Sequence, residues 1–208
     1  MIYTDEFVWL HFPKCAGTKI ERLFRKYLAR DERVFQDRVG IQNDPYIAWH
    51  DSIAEREKRD PGFTRGARTV ICSFRRLPSW LESRYNFEVW RSPQLPHSPE
   101  LLLQGRFLER DGRTSHADDY AQRYLPRPLL ESGNVRFLRT EFFVADFKTI
   151  FGAFLDVSKI PEWAFWRRVN RSWNYLPKSV RHQLHDASGS IYDVCPYWRS
   201  LEKLAYGS

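Results

Sequence analysis

Residues 7–28 constrain the fold of this chain more than any other stretch. Phe7–Phe12 is a short apolar and aromatic run that reads as a buried strand. Pro13 ends it, and a tight loop, Pro13-Lys14-Cys15-Ala16-Gly17, leads to a helix signalled from Thr18. Ile20, Leu23, Phe24, Tyr27 and Leu28 recur at i, i+3, i+4, i+7 and i+8, with Glu21, Arg22, Arg25 and Lys26 placed outside the stripe. A strand that turns tightly into an amphipathic helix opens an α/β unit.

The alternation continues along the chain. Tyr46–His50 is a weaker strand signal, and Thr69–Phe74 is β-branched, apolar and suited to a buried parallel strand. A helix follows from about Pro78, a residue favoured in a first turn. Ser92–Pro128 is punctuated by prolines, with helical stretches at Glu100–Leu108 and His116–Tyr124. Val135–Leu138 gives another strand, and Phe147, Ile150, Phe151, Phe154 and Leu155 mark another amphipathic helix. Pro161–Pro177 reads as irregular; helices over Lys178–Ala187 and Tyr192–Tyr206 close the chain. The expectation is one α/β domain over residues 1–208, with a mostly parallel central sheet flanked by helices.

Composition narrows the class of protein. Eight Trp, 10 Tyr and 15 Phe supply far more apolar surface than a disordered chain carries. No run approaches the ~18 apolar residues of a membrane-spanning helix. Asp5 and Glu6 stand where a signal peptide would carry positive charge. Cys15, Cys72 and Cys195 are too few and too scattered for a disulfide framework or a zinc cluster. These features point to a reduced, cytoplasmic chain with no membrane partner. Lys and Arg total 33 against 26 Asp and Glu, a net charge of +7, which suits an anionic partner. The cations are interleaved with acids and form no basic block, so nucleic acid is not the expected one.

In a parallel sheet, ligands bind beyond the carboxyl ends of the strands. After the first strand come Lys14, Cys15, Ala16, Gly17, Thr18 and Lys19, leading straight into the helix. Unpaired N–H groups at a helix start bind phosphate; Gly17 permits close approach, Thr18 offers a cap and a hydroxyl, and Lys14 and Lys19 supply charge. The spacing is not that of the nucleotide-triphosphatase P-loop. The local pattern leaves two readings open, a phosphate-binding loop and an ordinary strand-to-helix turn.

His11-Phe12-Pro13-Lys14-Cys15-Ala16-Gly17-Thr18 resembles the 5′-phosphosulfate loop of carbohydrate sulfotransferases, commonly HIPKTGGTS. Those enzymes take a sulfuryl group from 3′-phosphoadenosine-5′-phosphosulfate (PAPS). The family binds the donor's 3′-phosphate with an Arg and, eight residues on, a Ser. Here Arg75 and Ser83 have that spacing, and Tyr85 also matches. Weaker likenesses run through His116–Leu125, Phe137–Glu141, the donor-closing loop Asn170-Arg171-Ser172 and the helix start Ile191-Tyr192-Asp193. There are departures: Cys15-Ala16 replaces Thr-Gly, Arg76-Leu77 replaces Asp-Pro, and Lys19 replaces a Ser that restrains the lysine in family members.

The resemblance implies a P-loop-like sulfotransferase fold, with in-line transfer to an acceptor hydroxyl, most plausibly on a glycan. Lys14 would stabilise the leaving phosphate. His50, in Ala48-Trp49-His50-Asp51, would act as general base, as in the polysaccharide 2-O-sulfotransferase branch. Glu55 and Glu57 are fallback bases, and Asp51 would either orient His50 or cap the next helix. His11 is expected to be structural and to point away from the donor. Cys15 is expected to pack the loop rather than act as a nucleophile. His182 and His185 lack the spacing of a metalloprotease helix, and no metal is expected. Two other functions stay open: a nucleotide-dependent phosphotransferase, which would need a magnesium site, and a non-enzymatic anion-binding module.

Overall fold

A computed structural model describes residues 1–37, 48–109, 111–167, 174–186 and 188–207. The chain divides into two compact units. One contains Met1–Phe74 and the stretch that begins at Tyr124; the other contains Arg75–Arg123 and the C-terminal stretch.

The first unit is built on a five-stranded mixed sheet. Its strands are β1 (Ile2–Tyr3), β2 (Phe7–Leu10), β3 (Phe35–Gln36), β4 (Thr69–Phe74) and, numbered β7 by chain order, Val135–Arg139. They lie in the order β3-β1-β2-β4-β7. β2, β4 and β7 run parallel, with Phe7 opposite Thr69, Leu10 opposite Cys72, and Phe74 opposite Arg139. β1 pairs antiparallel with both β2 and β3. The expected parallel sheet is therefore the β2-β4-β7 side; the other edge, made by β1 and β3, is antiparallel. Two-residue strands carry no alternation to read, so their pairing is decided by the chain on either side of them.

All four residues of β2 are buried, as parallel strands covered on both faces require. Phe7 and Trp9 join the main core with residues of α1 (Gly17–Leu23) and of the π turn Phe24–Leu28 that continues it. Residues of α6 (Phe143–Gly152) and α7 (Glu162–Trp166) complete that core. Phe7, Phe24, Phe147 and Phe151 meet edge-on or tilted with centroids 4.7–6.5 Å apart, favourable geometries for aromatic rings. α2 (Ile53–Arg59) begins with a capping box between Ser52 and Glu55. The expected strand at Tyr46–His50 is absent where described: Ala48–His50 is a 3₁₀ turn, and Tyr46 and Ile47 lie outside the described residues.

The second unit opens with α3 (Leu77–Arg91), as expected from Pro78. The expected helix at Glu100–Leu108 is helical only in its first part, as a 3₁₀ segment over Pro99–Gln104. That segment ends at Gly105, and β5 (Arg106–Leu108) forms an antiparallel hairpin with β6 (Thr114–His116). Gly112 turns the hairpin with φ +82°, which glycine adopts without strain. α4 (Ala117–Tyr124) follows, and α5 (Arg127–Glu131) belongs to the first unit. α8 (Lys178–Leu184), α9 (Ile191–Val194) and α10 (Pro196–Tyr206) end the chain. The last two replace one expected helix, broken at Cys195-Pro196, where proline removes a backbone donor. No helix among the described residues is long and apolar enough to cross a membrane.

Candidate functional site

The loop after β2 is where backbone strain collects. Among the described residues, the two non-glycines with positive φ are Lys14 (66°) and Ala16 (62°). Each costs about 1–2 kcal/mol, because Cβ crowds the following carbonyl. Since Cys15 and Gly17 do not share that sign, φ alternates along the loop. Alternation of this kind turns successive N–H groups toward one point and makes an anion-binding concavity. The Cys15 N–H bonds to the Phe12 carbonyl, and those of Lys19 and Ile20 bond to Ala16. The N–H groups of Ala16, Gly17 and Thr18 have no hydrogen-bond acceptor among the described residues. Ala16, not Thr18, is the helix cap, and no side chain caps α1. Thr18 is exposed, and Cys15 is fully buried.

His11 does not point away from this loop. A Cβ added to Gly17 would fall 1.7 Å from His11 Nε2, so the imidazole edge rests against the bare Cα of the loop. His11 Nδ1 lies 2.8 Å from Glu21 Oε1, one α1 turn beyond Gly17, and both side chains are buried. Glu21 therefore belongs to the packed face of α1, not outside it. The Trp9 ring stacks on His11 with centroids 5.1 Å apart, and Trp9 Nε1 donates to Ser73 Oγ at 2.9 Å. Burial holds the His11 imidazole below its usual pKa of 6.5. The Glu21 hydrogen bond and charge oppose that effect, while the Lys14 ammonium reinforces it. Burial wins, and His11 is neutral near pH 7.

His50 meets His11 directly, with ring centroids 4.2 Å apart. Its Nδ1 lies 3.1 Å from the carbonyl oxygen of His11. A carbonyl only accepts, so Nδ1 carries the proton and Nε2 the lone pair in the neutral ring. The Tyr124 hydroxyl donates to the His50 carbonyl at 2.5 Å and fixes the backbone there. Asp51 takes neither expected role: its carboxylate pairs with Arg59 Nε at 2.8 Å, and Ser52 caps α2. Glu55 is held in the capping box, accepting from Ser52 N and Oγ at 2.9 Å. Glu57 accepts from the Arg65 N–H at 2.8 Å.

Lys19 packs against α6. Its ammonium lies 4.6 Å from the centre of the Phe143 ring, in a groove lined also by Arg22, Lys26 and Trp163. Partial burial there lowers its pKa.

Arg75 follows the last residue of β4, the strand beside β2, and its carbonyl accepts from Trp198 Nε1 at 3.2 Å. Ser83 is half-buried on α3, seven residues from its cap Arg76, which is two helical turns and hence the same face. A carboxylate from α10 reaches the start of α3. Glu202 accepts the Leu77 N–H at 2.7 Å and the Tyr192 hydroxyl at 3.0 Å, and Arg76 lies 3.4 Å away. Burial, followed by that carboxylate, raises the Tyr192 pKa. Cys195, 4.0 Å from His116 Nε2, is pushed up to about 12 by burial and Asp118, so it is a thiol and not a nucleophile at neutral pH. His185 and Arg181 both pair with Glu82. Among the described residues no cluster of His, Cys, Asp or Glu could hold a metal ion. Asn170, Arg171 and Ser172 lie outside the described residues.

Comparisons of the chain with protein-family models, curated proteins and solved structures find no match.

Sequence reasoning missed His11 and Glu21. The available signal was Glu21 three residues before Phe24 and seven before Leu28, on the side of the helix that those residues bury.

Proposed function

We propose that the protein transfers a sulfuryl group from PAPS to an acceptor hydroxyl, most plausibly on a carbohydrate. One observation carries this reading: the strained loop at residues 14–17, where the Ala16, Gly17 and Thr18 N–H groups have no acceptor among the described residues, is joined through His11 to a histidine of defined tautomer. The concavity at the backbone of Ala16, Gly17 and Thr18 suits a phosphate oxygen, while the bare Cα of Gly17 makes room for the His11 ring rather than for a ligand. The motif likeness assigns Arg75 and Ser83 to the donor's 3′-phosphate.

The donor supplies the sulfuryl group and departs as adenosine 3′,5′-bisphosphate. His50 Nε2 takes the proton of the acceptor hydroxyl as its oxygen attacks sulfur. Lys14 and the loop N–H groups hold the charge that develops on the leaving 5′-phosphate. A dipole array that is already oriented need not reorganise as that charge appears, which is where the strain at Lys14 and Ala16 finds its use.

Thermal-shift titration tests donor binding. Adenosine 3′,5′-bisphosphate at a hundred times its Kd should stabilise the fold by about 2.7 kcal/mol. Equal stabilisation by 5′-AMP would remove Arg75 and Ser83 from the 3′-phosphate role. A radiolabelled sulfate-transfer screen over glycans and small alcohols tests the chemistry. His50→Ala should lower the transfer rate by about 10²–10⁴-fold; near-normal transfer would exclude His50 as the base.

A further inference from the structure

The mechanism above uses His50 and the loop, and leaves unused a buried acid and imidazole beneath them. We propose that His11 and Glu21 form a positioning pair for His50. In this pair the His11 carbonyl fixes which His50 nitrogen carries the proton, and the Glu21 carboxylate stabilises the imidazolium that His50 becomes. This inference rests on the reading of His50 as the base.

Three contacts support it. His50 Nδ1 and the His11 carbonyl oxygen are 3.1 Å apart, so the orientation of His50 is set by main chain that cannot change its own protonation. The two rings lie 4.2 Å apart, so a charge arising on His50 falls directly beside His11. His11 is in turn hydrogen-bonded at 2.8 Å to Glu21 Oε1, which orients the imidazole N–H toward the carboxylate. A neutral His11 is essential to the scheme, since two imidazoliums in contact would repel. Burial from solvent supplies that neutrality.

The charges that bear on the pair come from three elements. Glu21 belongs to α1, Lys14 to the loop, and the Met1 amine lies just before β1. That amine is itself held by Asp37, at 2.7 Å, and Asp37 also accepts from Arg56 at 2.8 Å. Of the three, Glu21 alone favours a cation at this place. Neutralising it leaves the field of Lys14 and the amine, so His50 should become a weaker base.

Histidine-labelled protein followed by NMR through a pH titration reads this directly, without donor or acceptor. The neutral His50 ring should show the Nδ1–H tautomer. In Glu21→Gln the His50 midpoint should fall by about one pH unit, the change expected from one lost charge interaction. Glu21→Asp, which keeps the charge, should restore most of the shift. Glutamine is isosteric with glutamate, and a dispersed amide spectrum establishes that the variant is folded. An Nε2–H tautomer, or a midpoint unchanged in folded Glu21→Gln, overturns the proposal; so does a Glu21→Asp midpoint no higher than that of Glu21→Gln. Failure of the protein to bind adenosine bisphosphate would instead count against sulfuryl transfer, which separates the two.

Discussion

Each unit buries a charged side-chain cluster, and the two clusters differ in kind. In the second unit, Arg84 Nη2 lies 3.0 Å from Glu88 Oε1 and 2.7 Å from Glu109 Oε2, with its guanidinium over the rings of Phe107 and Tyr120. Ser115 Oγ donates to the other oxygen of Glu109. Arginine stays charged at any ordinary pH, so this cluster is a fixed clamp that ties α3 to the β5–β6 hairpin. In the first unit, the cluster is made of His11, Glu21 and His50, with His11 held neutral by burial beside the Glu21 carboxylate, and it adjoins two strained residues and N–H groups that have no acceptor among the described residues. Buried charge alone therefore does not mark a site. The proposed transfer uses the first cluster, where imidazoles lie beside stored strain.

The largest effect expected from breaking this contrast is in the clamp. Arg84→Met strands two carboxylates and should destabilise the protein by about 3–5 kcal/mol in urea denaturation. The His50 titration should stay where it was in whatever fraction folds. A mild loss of stability would show that the clamp does not differ in strength from an exposed pair. Next comes the loop: Gly17→Ala drives a methyl group into the His11 ring and should cost about 1–3 kcal/mol, the usual range for overpacking. It should also abolish stabilisation by adenosine bisphosphate. Full retention of both would mean that the ring does not rest against Gly17.

The smallest effect is with pH. His11 is held neutral below its unfolded pKa of 6.5, so unfolding takes up a proton in acid. Its contribution to stability is complete above about pH 6.5 and declines as pH falls below that value. Denaturation at pH 7.5 and 5.5 should show that decline, and His11→Asn should reduce it. The arginine clamp gives no such slope, so an equal decline in wild type and His11→Asn would erase the distinction between the clusters.

What the sequence disclosed follows the length scale of the signal. Thr69–Phe74 and Leu77–Arg91 are legible because six residues centred on Val70-Ile71-Cys72, and fifteen with a proline in the first turn, carry a pattern of their own. The α1 stripe was equally clear, except that Glu21 was assigned by polarity to the surface. Polarity misleads wherever a buried partner exists, and nothing in the spelling of the helix names His11 as that partner. The helical signal of Leu101-Leu102-Leu103 is real as a 3₁₀ segment, but it hides the strand at Arg106–Leu108 that follows Gly105 and pairs back after the chain reverses at Gly112. His50 was picked for its place between two motifs; its neighbours Asp51 and Glu55 were legible as acids but not as the partners of Arg59 and Ser52. Local spacing reports which residues share a helix face. Which imidazole faces which carbonyl depends on tertiary contacts that spacing does not encode.

The closeness of Gly17 to His11 has a consequence for the history of the chain as well as for its chemistry. Positions 11 and 17 share one volume, so neither is free to vary alone. A related sequence that carries any side chain at the second position must have given up the ring at the first, and with it the partner of Glu21. The three positions should thus change together or not at all across descendants of this fold, so that the loop and the proton-handling pair are inherited as one unit.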